Sequence, residues 1–296
     1  MMPPRRILVA LDGSAESEQI LEEADRIAPA GAAFDLLHVI PIPNRAIPGV
    51  GLNLEDLAAI YLESVAERFP DRQVRTFVWR GTPEEEIPKA AVSLEADFLA
   101  LTTHARRGVS HLLMGSVAEV VVRDAPVPVL LTRPGLKPPA QPLERILVPF
   151  DGTEGSGEIF DIVRTLAAGR EPEVLLLEVM TPFVADLSTL GVPAPTPDPA
   201  PALEEQVRRL RNLGLHASAV VAYGDPAAQI LLQARKFHVD LIAMATSGRK
   251  GLSRLLLGSV AESVVRRMDR PIVLHRISAT SEVARRSQEQ HAPGSD

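Results

Sequence analysis

Two short patterns in this chain carry the residue types that chemistry needs, and each occurs twice. Asp12-Gly13-Ser14 and Asp151-Gly152-Thr153 place a carboxylate, a glycine and a hydroxyl directly after an apolar run. Gly115-Ser116-Val117-Ala118-Glu119 returns unchanged as Gly258-Ser259-Val260-Ala261-Glu262. A carboxylate at the end of a strand bonds the turn that follows it, and Ser-x-x-Glu reads as a capping box, in which serine and glutamate satisfy open groups at a helix start. Other chemistries are excluded. The chain has no cysteine, so disulfides, thiolate nucleophiles and Cys-ligated zinc are ruled out, and its seven histidines show no His-Glu-x-x-His spacing. No constellation of residues names a general base or a nucleophile.

The elements that must position these residues are themselves written twice. Residues 108–123 and 251–266 agree at 12 of 16 positions without a gap, and Arg145 to Gly152 repeats the pattern of Arg6 to Gly13. Arg6 and Arg145 are 139 residues apart, Gly108 and Gly251 are 143 apart, so the second copy carries four extra residues. Such self-similarity marks an internal duplication. The expected organisation is a first domain over 1–135, a proline-rich linker over 136–142, a second domain over 143–277 and a disordered polar tail over 278–296.

In the first copy, buried-strand patterns at Ile7–Leu11, Phe34–Ile40, Val74–Trp79, Phe98–Thr102 and Val127–Leu131 alternate with helical patterns. The helix after Ser14 brings Ile20, Leu21, Ala24 and Ile27 onto one face. The second copy follows the same order, from Ile146–Phe150 to Ile272–His275. Alternating strands and helices joined by short turns specify an α/β protein with two tandem doubly wound, five-stranded parallel sheets of order 3-2-1-4-5. A proline-dense segment over 186–202 is expected to form a loop or lid in the second copy, opposite the shorter 41–53 in the first. In a doubly wound sheet the ligand crevice lies beyond the carboxyl ends of the strands where the order reverses, between the first and fourth strands. The Asp-Gly turns and the segments ending in Gly115 and Gly258 converge there.

The opening Ile-Leu-Val-Ala-Leu-Asp-Gly-Ser, the strand ending Leu-Leu-His38-Val39 and the late Gly-x6-Gly-Ser-Val-Ala-Glu segment resemble the universal stress protein family, in both copies. The resemblance implies an adenine nucleotide α-hydrolase-like fold and binding of ATP, with magnesium carried on the nucleotide, by a non-catalytic stress-response protein. It implies contacts from Asp12 and Asp151 to ribose or metal, and from the main chain at Val39 and Val179 to adenine. The phosphates would meet Ala105, Arg106, Gly115, Ser116 and Val117 in the first copy, and Gly248, Arg249, Gly258, Ser259 and Val260 in the second. Backbone amides and a helix start would cradle them. Nucleotide-binding members carry G-x2-G-x9-G-(S/T). This chain has Thr102 and Ala105 at the first two glycines of copy one, and Ala245 and Gly248 in copy two. Copy two is therefore expected to be the better site.

The rival reading is an interaction module with degenerate pockets, and a slow ATPase is a further alternative. A formal charge of -7 without a basic stripe argues against a nucleic-acid partner. No run reaches transmembrane length, and Arg5-Arg6 is followed by too short an apolar core for a signal, so a cytoplasmic chain without membrane attachment is expected. Ile272–His275 and Val127–Leu131 are apolar edge strands, and the copies are expected to pair through them as an internal pseudo-dimer, leaving a homodimer open. His38, whose counterpart is Glu178, reads as an ordinary strand residue.

Overall fold

A computed structural model describes residues 6–42, 53–103, 115–136, 142–152, 157–181, 201–246 and 258–277. The linker apart from Leu136 and Pro142, the tail, and most of segments 41–53 and 186–202 lie outside the described residues.

The first repeat runs β1 (Arg6–Ala10), α1 (Ala15–Ile27), β2 (Ala33–Ile40), α2 (Leu54–Ala66), β3 (Val74–Arg80), α3 (Pro83–Ser93), β4 (Phe98–Thr102), α4 (Ser116–Asp124) and β5 (Val129–Thr132). The second runs β6 (Arg145–Phe150), α5 (Glu158–Leu166), β7 (Glu173–Met180), α6 (Pro201–Asn212), β8 (His216–Tyr223), α7 (Pro226–Lys236), β9 (Leu241–Thr246), α8 (Ser259–Arg267) and β10 (Ile272–Arg276). The strand orders are 3-2-1-4-5 and 10-9-6-7-8, with β1 to β5 parallel within the first repeat. This is the expected doubly wound α/β fold. The central strands are buried on both faces, as parallel sheets require: Leu8, Val9, Leu36, Leu99 and Ala100 have no exposure. The predicted face of α1 is buried at Ile20, Leu21, Ala24 and Ile27, and Ser14 caps that helix by accepting from the Ser17 amide.

The compact units do not coincide with the repeats. One is drawn from Met1–Pro142 together with Arg270–Leu274, the other from Leu143–Asp269 together with His275–Asp296. The first unit thus includes an antiparallel ladder in which Ile272, Val273 and Leu274 face Leu131, Leu130 and Val129. All six side chains are buried. The pairing of the two final strands is therefore present, and it buries an apolar edge that would otherwise recruit other chains.

Strand lengths at the carboxyl ends shape the crevices. β1 ends opposite Leu37 while β2 runs on to Ile40, so Val39 lies beyond the last β1 partner. In the second repeat the β6–β7 ladder ends at Phe150 opposite Glu178, which leaves Val179 in the same situation. On the other side of the crevice, β1 pairs with β4 up to Val9, whereas β6 pairs with β9 only up to Leu147. Pro149 follows two residues later. With no N–H to donate, proline is tolerated where a ladder has already parted, and the pairing on this side ends one repeat-equivalent residue earlier in the second repeat than in the first.

Candidate functional site

The glycines of the two Asp-Gly pairs share one backbone conformation. Gly13 has φ +85° and Gly152 φ +79°, a left-handed conformation that glycine enters without penalty. Asp12 is exposed, and its Oδ1 accepts from the Ser14 amide at 2.9 Å and from the Ser14 hydroxyl at 2.6 Å. Its own amide donates to Ser17 Oγ at 3.3 Å. The turn-building role anticipated for a carboxylate at this place is thus present. Asp151 is likewise exposed at the end of β6. Val39 is buried and Val179 half-buried, each beyond the end of the neighbouring central strand.

The helix starts correct one expectation. Ser116 and Ser259 are the first helical residues, Gly115 and Gly258 occupy the cap positions, and no side chain caps either helix. The serines stand one residue too far along to accept from the amides of a capping box, and Glu262 instead bridges Arg266. Glycine at the cap supplies no side-chain acceptor to the first-turn amides, and an anion is stabilised at a helix start by such amides and by the helix dipole.

The two starts differ in conformation. Gly115 has φ -62° and ψ 150°, which any residue adopts, whereas Gly258 has φ +79° and ψ 132°. Among the described residues, no atom lies within 4 Å of where a Cβ on Gly258 would stand, so the constraint there is the backbone conformation itself. They differ in surroundings too. Ser116 Oγ donates to Glu84 Oε1 at 3.2 Å, and Glu84 is one of three successive carboxylates in the first turn of α3. The corresponding turn of α7 contains no acidic residue. Asp225, just before it, caps α7 itself by accepting from the Ala228 amide at 2.8 Å. Sequence reading missed Glu84, although the contrast between Pro83-Glu-Glu-Glu and Pro226-Ala-Ala-Gln was visible in the aligned repeats.

His38 has a more particular setting than an ordinary strand residue. Its Nδ1 lies 3.0 Å from the Leu11 carbonyl, which only accepts, so Nδ1 carries the hydrogen. Its Cε1 is 3.8 Å from a Cβ built on Gly13, placing the ring over the Asp12-Gly13 turn. Burial lowers its pKa, opposed by the Leu11 bond and the Asp12 charge. Tyr61 of α2 meets the ring edge-on at 6.2 Å between centroids. Burial, and then the neighbouring Glu18 charge, push the tyrosine's pKa upward. The counterpart Glu178 has a buried Oε2 with no hydrogen-bond partner among the described residues.

Ala105, Arg106, Gly248 and Arg249 lie outside the described residues. Among the described residues, no group of three or more histidine or acidic side chains is arranged to hold a metal ion, and no helix is long and apolar enough to cross a membrane. A shallow cleft of about 580 Å³ opens at the amino ends of β7 and β8, the opposite end of those strands from Val179. One of its walls, Arg211, is already engaged with the Ala217 carbonyl at 2.9 Å.

A universal stress protein of Methanocaldococcus jannaschii is 30% identical over 143 residues, covering 44% of this chain and 81% of that protein. Universal stress protein YxiE of Bacillus subtilis is 27% identical over 145 residues, covering 45% and 98%. Each of these matches accounts for less than half of the chain, as a duplicated protein requires. The crystal structure of a universal stress protein from Archaeoglobus fulgidus superposes with a TM-score of 0.67 at 19% identity, over 93% of this chain and 99% of that one, which shows a shared fold. The model of the universal stress protein family matches residues 3–133 and again 142–276. With the doubled strand order and the two Asp-Gly turns, this places the chain in the universal stress protein family, with two tandem domains.

Proposed function

We propose that this chain binds an adenine nucleotide, ATP, in the crevice at the carboxyl ends of the central strands, with the second repeat as the principal site. The observation that carries the reading is the start of α8. Gly258 turns through the left-handed region into the helix, and as a glycine it brings no side chain of its own to the first-turn amides of Ser259 and Val260. A polyphosphate is the kind of ligand such an end stabilises, since first-turn amides and the helix dipole act on the same charge. Val179, beyond the end of β6, offers main-chain groups to the adenine edge. Asp151 stands at the strand end where a ribose hydroxyl or a nucleotide-borne magnesium would meet a carboxylate. The residues present fit magnesium only as cargo of the phosphates, because no protein cluster among the described residues would hold it alone. In sequence, Gly248 and Gly258-Ser259 keep the last two glycines and the hydroxyl of the family's phosphate pattern, with Ala245 at the first glycine and Arg249 beside Gly248 as a basic neighbour.

The proposed role is that of a nucleotide-responsive regulatory protein in the cytoplasm, and it assigns no catalytic step to any residue. Two measurements test it together. Mass spectrometry of small molecules released from the purified protein identifies a retained ligand, and calorimetric titration with ATP, AMP and adenosine ranks the candidates. Saturable ATP binding that inorganic tripolyphosphate competes away supports the proposal. No heat with any adenine ligand and no retained nucleotide would return the chain to the rival reading of an interaction module.

A further inference from the structure

His38 in β2 and Glu178 in β7 are equivalent residues, each just before the valine that runs on past the end of the neighbouring central strand. The helix after each of these strands repeats its spacing as well. Ala58, Tyr61, Leu62 and Val65 of α2 recur as Leu203, Gln206, Val207 and Leu210 of α6, and the three apolar residues of each set are buried. In the first repeat the two intervening polar positions meet, with the His38 and Tyr61 rings 6.2 Å apart between centroids. In the second repeat the same two places hold Glu178 and Gln206. Glu178 Oε2 and Gln206 Oε1 are both buried, and neither has a hydrogen-bond partner among the described residues. Buried acceptors are normally satisfied, and a bare one is costly. Two other donors of α6 are engaged elsewhere: Arg209 lies over the Phe160 ring and Arg211 bonds the Ala217 carbonyl.

We propose that Glu178 and Gln206 are the nucleoside-reading residues of the second repeat, two acceptors that take N–H or O–H hydrogens from the ligand. The inference rests on the nucleotide reading of this crevice and names which end of the ligand these side chains receive. A carboxylate repels phosphate, so the end it receives is the uncharged one. A nucleoside brings its hydrogens there on the exocyclic amino group of adenine and on the ribose hydroxyls. A site whose acceptors are bare without the ligand discriminates strongly against an analogue lacking the matching donor, because the acceptors then stay unpaired in the complex. The first repeat presents the rings of His38 and Tyr61 in place of this pair.

The test compares ATP with inosine triphosphate, which has a carbonyl in place of the amino group, and with 2′,3′-dideoxy-ATP, which lacks both ribose hydroxyls. Binding to the second repeat is followed through the amide signals of Ser259 and Val260 in the full chain, for the wild type, Glu178→Leu, Glu178→Gln and Gln206→Leu. The wild type should bind ATP at least about tenfold more tightly than one of the two analogues. Weakening with inosine triphosphate identifies the amino group as the donor, and weakening with the dideoxy compound identifies the hydroxyls. Glu178→Leu and Gln206→Leu should bind ATP and that analogue alike. Thermal unfolding of the unliganded proteins supplies a second reading. At least one of Glu178→Leu and Glu178→Gln should unfold no lower than the wild type, since a bare buried oxygen contributes nothing to the free fold. Equal wild-type affinity for all three nucleotides, discrimination that survives in the leucine variants, or a lowered midpoint in both Glu178 variants would overturn the assignment. A wild type that binds none of the three nucleotides would overturn the nucleotide reading itself.

Discussion

Among the described residues, the strand ends and helix starts of the first repeat differ from those of the second in side-chain contacts and in backbone conformation. In the first, Asp12 is tied to Ser14, His38 to the Leu11 carbonyl and Ser116 to Glu84. In the second, Gly258 is left-handed, Ala227 replaces the carboxylate, and the ladder between β6 and β9 ends early before Pro149. Duplication gave both copies one strand order, and divergence acted on what stands at the ends of the strands. A shared fold therefore does not by itself imply a shared ligand.

The same divergence runs through the core at the opposite end of the strands, and the largest expected stability effect lies there. Asp35 has no exposure and receives Arg75 through two bonds, Nε to Oδ1 at 2.8 Å and Nη2 to Oδ2 at 2.6 Å. At the equivalent register the second repeat pairs Leu175 with Ser218. Asp35→Ala should cost about 2 kcal/mol, below the range for a fully buried pair because Arg75 stays partly in solvent. Asp35→Leu combined with Arg75→Ser should recover most of that loss, since the second repeat folds with this arrangement. Urea denaturation midpoints measure both, and a double variant less stable than Asp35→Ala would show that the two cores are not interchangeable.

Next in size is the contrast between the two cap glycines. Gly258→Ala forces a Cβ into φ +79° and should cost about 1–2 kcal/mol. Gly115→Ala, at φ -62°, should stay within about 0.5 kcal/mol of the parent. Thermal unfolding of both variants checks this. Equal losses would mean that the two helix starts share one conformation.

The smallest effect concerns His38. Its folded pKa is lowered by burial, so the unfolded chain binds the proton more readily. The histidine's contribution is therefore fully present above its ordinary value of 6.5 and is lost as pH falls through the lowered folded pKa. Between about pH 7.5 and about pH 5.5, His38→Gln should lose less stability than the parent. Identical pH profiles would remove the ring from the account. The second repeat, with Glu178 at this position, supplies no such histidine.

The repeated fold was legible because its signals are redundant. Apolar runs and the prolines in the first turns of α3 and α7 agree between copies, and Ser14 marks the start of α1 in the first. The positions of Asp12, Asp151, Gly115 and Gly258 followed from topology, because a doubly wound sheet brings those strand ends together. What escaped the sequence were contacts and dihedrals. Ser-x-x-Glu reads as a capping box, and nothing in the five shared residues shows that glycine takes the cap or that φ differs by sign between identical pentapeptides. Glu84 lies 32 residues from Ser116, and only the packing of α3 beside α4 brings them within bonding distance.

The claim that the second repeat is the nucleotide site is tested most directly by calorimetric titration of ATP into the full chain carrying Asp151→Ala or Asp12→Ala. Loss of a charge-assisted contact is worth about 1.5–3 kcal/mol, so Asp151→Ala should weaken ATP binding by about tenfold to over a hundredfold. Asp12→Ala should change it by less than about threefold, because Asp12 holds the Ser14 turn in a crevice where Glu84 already bonds the helix start. Equal losses from the two substitutions, or a larger loss from Asp12→Ala, would contradict the assignment.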